Sequence, residues 1–404
     1  MSYAWKIYML AIVSFLVGTS EFIIAGILDK VADDVGVSVA AAGQLITVFS
    51  LAYAFGTPFL MAAAAKVDRK RLMLYALAVF VVGNAAAFAF PGFGALIASR
   101  IVVALSSGVF VVTALTVAAK LAPEEKRGSA IATLVMGFST ALIVGVPLGR
   151  LASSVYDWQA VFGGIGLLGL LALLLIAFTI PKTDGELPVP LRDQLRLLKN
   201  PKILVGLGIT FFWIGGYSIT YTYISPFLLE ITNMSEKAVS IALFAFGIAS
   251  LIGSKLGGFG TDRWGYRRTL LIGLALHAAW LIVISFAAHS AALMFPLLML
   301  WSFSAWSSGP TQQYHLISLA PEATSIMLSL NSSAVQLAMA AGAGIGGIVV
   351  EGASLTAITW IGAAGVALAV LLSAAAFGFR RAGSAAGSAA RDAGQQAAAD
   401  KIGA

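Results

Sequence analysis

Long apolar runs recur along the whole chain, separated by short polar breaks. A run of about 20 apolar residues is long enough to cross the ~30 Å hydrocarbon core of a bilayer as a helix. Only 11% of the 404 residues are charged, compared with about 25% in an average soluble domain. The sequence therefore predicts an all-α integral membrane protein with twelve transmembrane helices, at residues 5–28, 39–64, 72–91, 93–119, 128–152, 159–180, 203–227, 237–257, 269–288, 291–316, 324–350 and 354–379.

Positive residues are concentrated on one side of the predicted membrane. The other side keeps Lys30 and Lys237, with Arg150 at a helix end. Short loops rich in Lys and Arg remain cytoplasmic, so we expect both termini in the cytoplasm. The expected cytoplasmic groups lie at residues 66–71, 120–127, 182–202, 255–268 and 380–381.

The chain is expected to contain two pseudo-symmetric six-helix bundles. A polar stretch at 181–202, interpreted as a cytoplasmic linker, separates an N-terminal bundle (1–180) from a C-terminal bundle (203–380), and 381–404 is expected to be a flexible tail. The second bundle repeats features of the first at one constant spacing. Lys66, Lys70 and Arg71 match Arg263, Arg267 and Arg268, while Gly145 and Gly149 match Gly342 and Gly346. Parallel repeats of this kind are typical of duplicated transporters.

Glu21 is the one acidic residue of 18 that lies well inside a predicted helix, and Arg100 is the corresponding basic residue. An acid at a helix centre costs about 2.5 to 3.5 kcal/mol on insertion scales. Both residues are expected about 11 Å below the outer surface. Our hypothesis is that Glu21 is the proton-coupling residue and that Arg100 tunes its proton affinity. The alternative is a static buried ion pair that fixes helix packing.

Glycine, proline and charged residues at two places predict moving parts. Gly145, Pro147 and Gly149 in the fifth helix favour close helix contact and a kink. The predicted loop from Gly258 to Arg268 is interpreted as a lock on the inward side, whose candidate residues are Gly258, Asp262, Arg263, Gly265, Arg267 and Arg268. Plain helix packing and a purely topological role for the arginines are the respective alternatives.

Polar and aromatic residues inside the helices are candidates for a substrate cavity. Ligand cavities combine aromatic walls with a few amide and hydroxyl groups, which here favours a flat, uncharged or weakly polar solute. The candidates are Gln44, Tyr53 and Asn84 in the first half, and Trp213, Tyr217, Tyr221, Trp301, Trp306, Gln312, Gln313 and Asn331 in the second. For each residue taken alone, packing or an interfacial aromatic belt is the alternative.

These motifs together resemble the twelve-helix drug:proton antiporter group of the major facilitator superfamily. The stretch from Gly258 to Arg268 is similar to the superfamily loop signature, with Gly260 and Tyr266 as departures. Arg100 matches the fourth-helix motif associated with proton transfer. Gly145, Pro147 and Gly149 match the fifth-helix antiporter motif, although Val146 splits its usual Gly-Pro pair.

Within that group the chain resembles bacterial purine-base and nucleoside efflux pumps and arabinose-efflux-like permeases. The resemblance is carried by stretches that begin at Ser20, Ala42 and Gly309; Asp29 departs from it, because these relatives usually have proline there. It implies a proton-driven exporter of a small organic solute in a bacterial inner or plasma membrane. We expect no cofactor, metal or nucleic-acid partner, and a monomer whose partners are lipid, substrate and protons.

Three other functions remain open from the sequence. A multidrug exporter or a proton symporter would share this fold, because the fold does not fix substrate or direction. A membrane-embedded sensor or enzyme is a more distant alternative, since His277, His289 and His315 are dispersed and form no catalytic cluster. A channel is not among these functions, because it would need a ring of repeated charge, which the sequence lacks.

Overall fold

The computed structural model describes residues 3–90, 92–123, 126–183 and 196–377, and these ranges contain helices and turns but no strand. In chain order the helices are α1 (Tyr3–Gly26), α2 (Leu28–Val35), α3 (Val39–Ala63), α4 (Arg69–Ala89), α5 (Phe93–Leu121), α6 (Arg127–Thr140), α7 (Val146–Val155), α8 (Trp158–Thr179), α9 (Pro201–Tyr221), α10 (Glu236–Trp264), α11 (Tyr266–Phe286), α12 (Ala291–Leu319), α13 (Thr324–Gly352) and α14 (Ala357–Phe377).

Twelve helical segments of the described chain are long and apolar enough to cross a membrane, which confirms the predicted number. The fifth of them is built from α6, a π-helical turn at Ala141–Gly145, and α7. Large apolar side chains such as Phe178 and Phe286 are exposed. Exposed apolar residues on an outer surface are expected where helices face lipid.

Two stretches differ from their predicted form at the ends of the helices. The first apolar run was predicted to continue to residue 28, but α1 ends at Gly26 and a separate helix, α2, follows. The polar residues of α2 end the apolar pattern, and the helix stops where Gly36 adopts φ +70°, a conformation that favours glycine.

The predicted loop from Gly258 to Arg268 is mostly helical, so that prediction was wrong in its local structure. Helix α10 continues to Trp264, and α11 begins at Tyr266. Gly265 makes the connection with φ +82°, which an L-residue with a side chain rarely adopts. Of the charged residues that suggested a loop, Asp262 and Arg263 lie on the last turn of α10, and Arg267 and Arg268 lie in the first turn of α11. A basic side chain such as Arg263 interacts favourably with the helix dipole at the end of a helix.

The division into two bundles stays a prediction. Residues 184–195 of the predicted linker and the whole predicted tail, 381–404, lie outside the described residues. We call residues 3–183 the N-half and residues 196–377 the C-half.

The two ends of the helical bundle differ in how the halves meet. We call the end that holds Lys66 and Arg263 the basic end, and the end that holds α2 and the start of α10 the far end. One apolar core contains buried residues of both halves. Its N-half members, such as Ile24 and Val31, lie toward the far end, whereas its C-half members extend to Leu270 and Phe377 near the basic end. At the basic end each described half has its own core, around Leu10, Phe80 and Val117 in the N-half and around Ile203, Leu316 and Met327 in the C-half. The halves are therefore closed against each other at the far end and separate at the basic end.

Close backbone contact supports the far-end closure. Gly247 of α10 lies against Ile143 in the π-helical turn, and a β-carbon added at Gly247 would collide with the Ile143 backbone. Gly43 of α3 likewise lies against the Tyr223 ring. Small residues allow helices to approach this closely.

Candidate functional site

Glu21 lies between the two halves. Its side chain is 5% exposed, and its Oε1 atom accepts a hydrogen bond of 3.1 Å from Nε2 of Gln336 on α13. Its Oε2 atom has no hydrogen-bond partner among the described residues. A carboxyl group that is buried, half satisfied and shared by two halves is placed to change partner, or to take up a proton, when the halves move.

Arg100 of α5 meets Glu21 through the backbone of α1. Its guanidinium donates to the carbonyl oxygens of Ser20 at 2.8 Å and of Glu21 at 3.2 Å, and it lies 4.4 Å from the centroid of the Phe49 ring. The predicted neighbourhood of the two residues is therefore present, without an ion pair to the carboxylate within 4 Å. Arg100 stabilises the segment of α1 that carries Glu21 by charged hydrogen bonds, and its cation–π contact with Phe49 connects this segment to α3.

Of the three polar residues of the N-half that were predicted for the cavity, two lie near this segment of α1 and one does not. Tyr53 is half-buried and its ring centroid lies 6.3 Å from that of Phe49. Asn84 accepts a hydrogen bond of 3.0 Å from the Ser20 hydroxyl, so it ties α4 to α1. Gln44 lies toward the far end, beside Gly347 of α13, and is not part of the surroundings of Glu21.

An aromatic cluster occupies the interior of the C-half. We define it as Tyr217, Tyr221, Phe246, His277, Trp301 and Trp306. The rings of Tyr217 and Tyr221 are stacked at 5.0 Å, and the Tyr217 centroid lies 5.7 Å from Trp301 and 5.9 Å from Trp306. The sequence predicted every member except Phe246 and His277 for the cavity.

Several buried polar atoms in and beside this cluster lack hydrogen-bond partners. They are the indole nitrogens of Trp213 and Trp301 and both ring nitrogens of His277. Buried polar groups in native proteins nearly always have a partner. The donors and acceptors of the cluster are therefore available to a solute with complementary groups.

The predicted glutamines of α12 have other roles. The Gln312 amide nitrogen donates to the Gly206 carbonyl at 2.7 Å and to the Thr210 hydroxyl at 2.9 Å, while Asn331 accepts from Thr210 at 2.9 Å. These bonds tie α9, α12 and α13 together. Gln313 is exposed and lies outside the aromatic cluster.

Four charged residues form a network at the far end, which we call the far-end network: Asp29, Lys30, Arg150 and Glu236. Arg150 donates to both Asp29 carboxylate oxygens, at 2.8 and 3.1 Å, and to Glu236 Oε2 at 2.9 Å. It also donates to the Gly26 carbonyl, and Lys30 lies 3.5 Å from Glu236. Arg150 lies in the last turns of its helix, as predicted, but it is fully buried, which the prediction did not include.

Two further acidic residues, Asp33 and Glu230, lie near the far-end network. Partial burial, and then the negative charges of Asp33 and Asp29, raise the pKa of the Glu230 carboxyl. Most of the Glu230 residue is nevertheless exposed, and it forms no ion pair with a described residue.

The predicted moving parts include three residues of the fifth spanning segment that are packed against neighbouring side chains. A β-carbon at Gly145 would collide with Thr19, and one at Gly149 with Ile23, so both glycines permit close packing against α1. Pro147 is buried in the first turn of α7.

The candidate residues of the inward-side lock lie at the basic end. There, Asp262 is exposed, and its side chain has no hydrogen bond or ion pair with a described residue. Arg263 and Arg267 lie near the rings of Phe259 and Phe377 of their own half, Arg268 is exposed, and a β-carbon at Gly258 would meet nothing within 4 Å. Within the described residues, these side chains make no hydrogen bond or ion pair with the N-half, and the inward-side lock stays a prediction.

Sequence reasoning missed Gln336 and Glu236, the two C-half partners of this site. Gln336 is an amide within an apolar helix, a signal that it shared with the residues chosen as cavity candidates. Glu236 follows the N-cap Ser235 and resembles an ordinary acidic residue of a first helical turn.

Comparison with known proteins finds relatives that match this chain over most of its length. The family model described as Major Facilitator Superfamily matches residues 10–327 and 207–402. The uncharacterized MFS-type transporter YbcL of Bacillus subtilis is 57% identical over 92% of this chain and 96% of its own length. A probable sugar efflux transporter of Helicobacter acinonychis is 29% identical over 89% of this chain and 92% of its own length.

Among solved structures, a bacterial homolog of the human lysosomal transporter Spinster, in an inward-facing and occupied conformation, superposes with a TM-score of 0.73 at 18% identity. The match covers 94% of this chain and 97% of that one, and supports the fold. The family model, the relatives and the twelve spanning segments agree: the chain belongs to the Major Facilitator Superfamily and is a multi-pass membrane transporter, not an enzyme.

Proposed function

We propose that the chain is a proton-coupled exporter that exchanges protons for a small organic solute by alternating access. The substrate that we favour is a neutral, flat heteroaromatic compound such as a purine base or nucleoside, with other flat drugs as the wider alternative. The basic end would face the cytoplasm, since short loops rich in Lys and Arg remain inside. The protein would then lie in a bacterial inner membrane, open to the cytoplasm in the present conformation.

The position of Glu21 carries the coupling proposal. Its carboxyl group belongs to the N-half, yet its hydrogen-bond donor Gln336 belongs to the C-half. Rocking of the halves around a central site would break this contact and change the surroundings of the carboxyl group. Carboxyl groups that lie within the membrane and contact a partner that moves are typical of proton relays.

The aromatic cluster supports the substrate class. Tyr217, Trp301 and Trp306 offer ring faces, while the unpartnered His277 and Trp301 nitrogens supply hydrogen-bonding groups. Aromatic walls with a few polar groups suit a planar, weakly polar ligand. Aromatic faces and N–H donors also suit a sugar, and the name of the Helicobacter relative makes a sugar the second candidate.

Transport by purified protein in liposomes tests the proposal. Liposomes with an acidic lumen are given radiolabelled purine bases, nucleosides, sugars and amphenicol-type drugs, and uptake is compared with protein-free and gradient-free liposomes. An antiporter accumulates its substrate because protons leave as the solute enters. Accumulation only when the outside is acidic would identify a symporter, and saturable uptake of sugars alone would favour the second candidate. If folded protein moves none of these solutes, the proposal is wrong.

A further inference from the structure

We propose that Arg150 is a partner-exchanging latch that holds the far end closed through Glu236 and allows it to open through Asp29. This inference rests on the proposed alternating-access function, because a latch matters only if the far end opens.

The latch joins the two halves through one guanidinium group. Arg150 and Asp29 belong to the N-half, whereas Glu236 stands in the first turn of α10 in the C-half. The 2.9 Å bond from Arg150 Nη2 to Glu236 must break when the halves separate at this end. Lys30 also crosses to Glu236 at 3.5 Å, and half of the Glu236 side chain faces solvent. Glu236 is therefore the member that leaves into water when the far end opens.

Asp29 determines the free-energy cost of separating the halves at the far end. An Arg side chain that is fully buried and loses its only carboxylate is left as an uncompensated charge, which is strongly unfavourable. Asp29 binds Arg150 at two points, at 2.8 and 3.1 Å, from within the same half. This bidentate pair does not depend on the C-half, so Arg150 remains neutralised after Glu236 has left.

The latch is also connected to the helix that carries Glu21. Arg150 donates to the Gly26 carbonyl at the end of α1, and Ser225 of the C-half donates to the Ala25 carbonyl at 2.9 Å. Opening of the far end removes the Ser225 contact while the Arg150 contact can stay. The end of α1 would thus lose its C-half partner in the same event that releases Glu236.

The proposal predicts opposite effects for the two acids. Glu236→Gln removes the charge that holds the latch, so the far end opens more often. Asp29→Asn leaves Arg150 uncompensated only in the open arrangement, so the far end opens less often. A purely structural ion network would give changes of the same sign.

A distance measurement between the halves tests this prediction directly. The chain contains no cysteine, so spin labels at Val155→Cys and Ala353→Cys, both exposed at the far end, report on one pair alone. Distances are recorded by pulsed electron paramagnetic resonance in the buffer in which the labelled pair gives its largest long-distance fraction. The control is Glu230→Gln, which removes a negative charge at the same end of the same half from a residue outside the network.

We expect Glu236→Gln to raise the ratio of long to short distances about fivefold, the factor that corresponds to a modest ion pair. Asp29→Asn is expected to lower that ratio, and Glu230→Gln to leave it within twofold of the starting value. Unchanged distances in both latch variants, or the same change in Glu230→Gln, would overturn the proposal. The measurement needs neither substrate nor a proton gradient, so its failure is distinguishable from failure of the proposed export function.

Discussion

At the scale of single residues, the scarcity of charge in the spanning helices makes the few buried charges informative. Glu21, Arg100 and Arg150 are each almost fully buried, and each binds a group from another helix. A buried charge is costly unless it is paired and hydrogen-bonded. The contacts of these residues are therefore the places where a change of conformation alters the energy most.

Arg100 offers a test of its role in stabilising α1. In Arg100→Lys the charge remains, but an ammonium group lacks the planar fork that reaches two carbonyl groups and stacks on Phe49. Loss of a hydrogen bond to a charged group costs about 1.5 to 3 kcal/mol, and we expect a comparable decrease in the free energy of unfolding. Denaturant unfolding followed by tryptophan fluorescence measures it.

The control for that experiment is Arg268→Lys, which makes the same exchange at an exposed position of the basic end. Its stability should change by less than about 0.5 kcal/mol. Equal stability of Arg100→Lys and the unchanged chain would show that the carbonyl contacts of Arg100 contribute little.

The sequence predicted Glu21 and Arg100 because charged residues stand out in apolar helices. It did not predict their partners, because Gln336 is 315 positions from Glu21 and a buried amide carries no sign of which helix it faces. The burial of Arg150 was not predicted, because this residue lies in the last turns of its helix, where hydropathy alone does not separate a buried residue from an exposed one.

At the scale of helices, the fifth spanning segment is one of the elements on which the halves meet. Its π-helical turn at Ala141–Gly145 precedes Pro147, and such turns interrupt the regular hydrogen bonding of a helix. Ile143 in this turn contacts Gly247 of the opposite half. The sequence predicted close contact at the glycines of this segment and a kink, but not the π-helical turn, because its apolar residues are also compatible with a regular α-helix in a membrane.

Gly247→Leu tests the close contact between these elements. The added side chain would collide with the Ile143 backbone, so the closed far end should be destabilised while each half keeps its own packing. We expect the spin-labelled pair at Val155 and Ala353 to show an increased long-distance fraction. Gly164→Leu is the control, because a β-carbon there meets nothing within 4 Å; an unchanged distance distribution in Gly247→Leu would contradict the contact.

The number of spanning helices was predictable for a simple physical reason, whereas the positions of some helix ends were not predictable. Each spanning helix must satisfy its backbone groups internally and bury about 20 apolar residues in lipid, which leaves a strong pattern in the sequence. No such constraint acts beyond the hydrocarbon core. The extension of α10 to Trp264 and the separate helix α2 were therefore hidden by their polar residues.

At the scale of the whole molecule, the halves are closed at the far end and separate at the basic end. A transporter sequence must be compatible with this arrangement and with its opposite, so no single pattern in the sequence selects one of them. The contacts that select it here are the shared far-end core, the Arg150–Glu236 bond and the Glu21–Gln336 bond. The last of these connects the arrangement of the halves to a group that can carry a proton.

Two transport modes of the Glu21→Gln variant test whether Glu21 couples transport to protons. Proteoliposomes containing this variant are assayed for accumulation driven by a pH gradient and for counterflow without a gradient, using the solute that the unchanged protein transports. Because a glutamine keeps the size of the side chain but cannot exchange a proton, we expect that gradient-driven accumulation is lost while counterflow continues at a measurable rate. Undiminished gradient-driven accumulation in Glu21→Gln would contradict it.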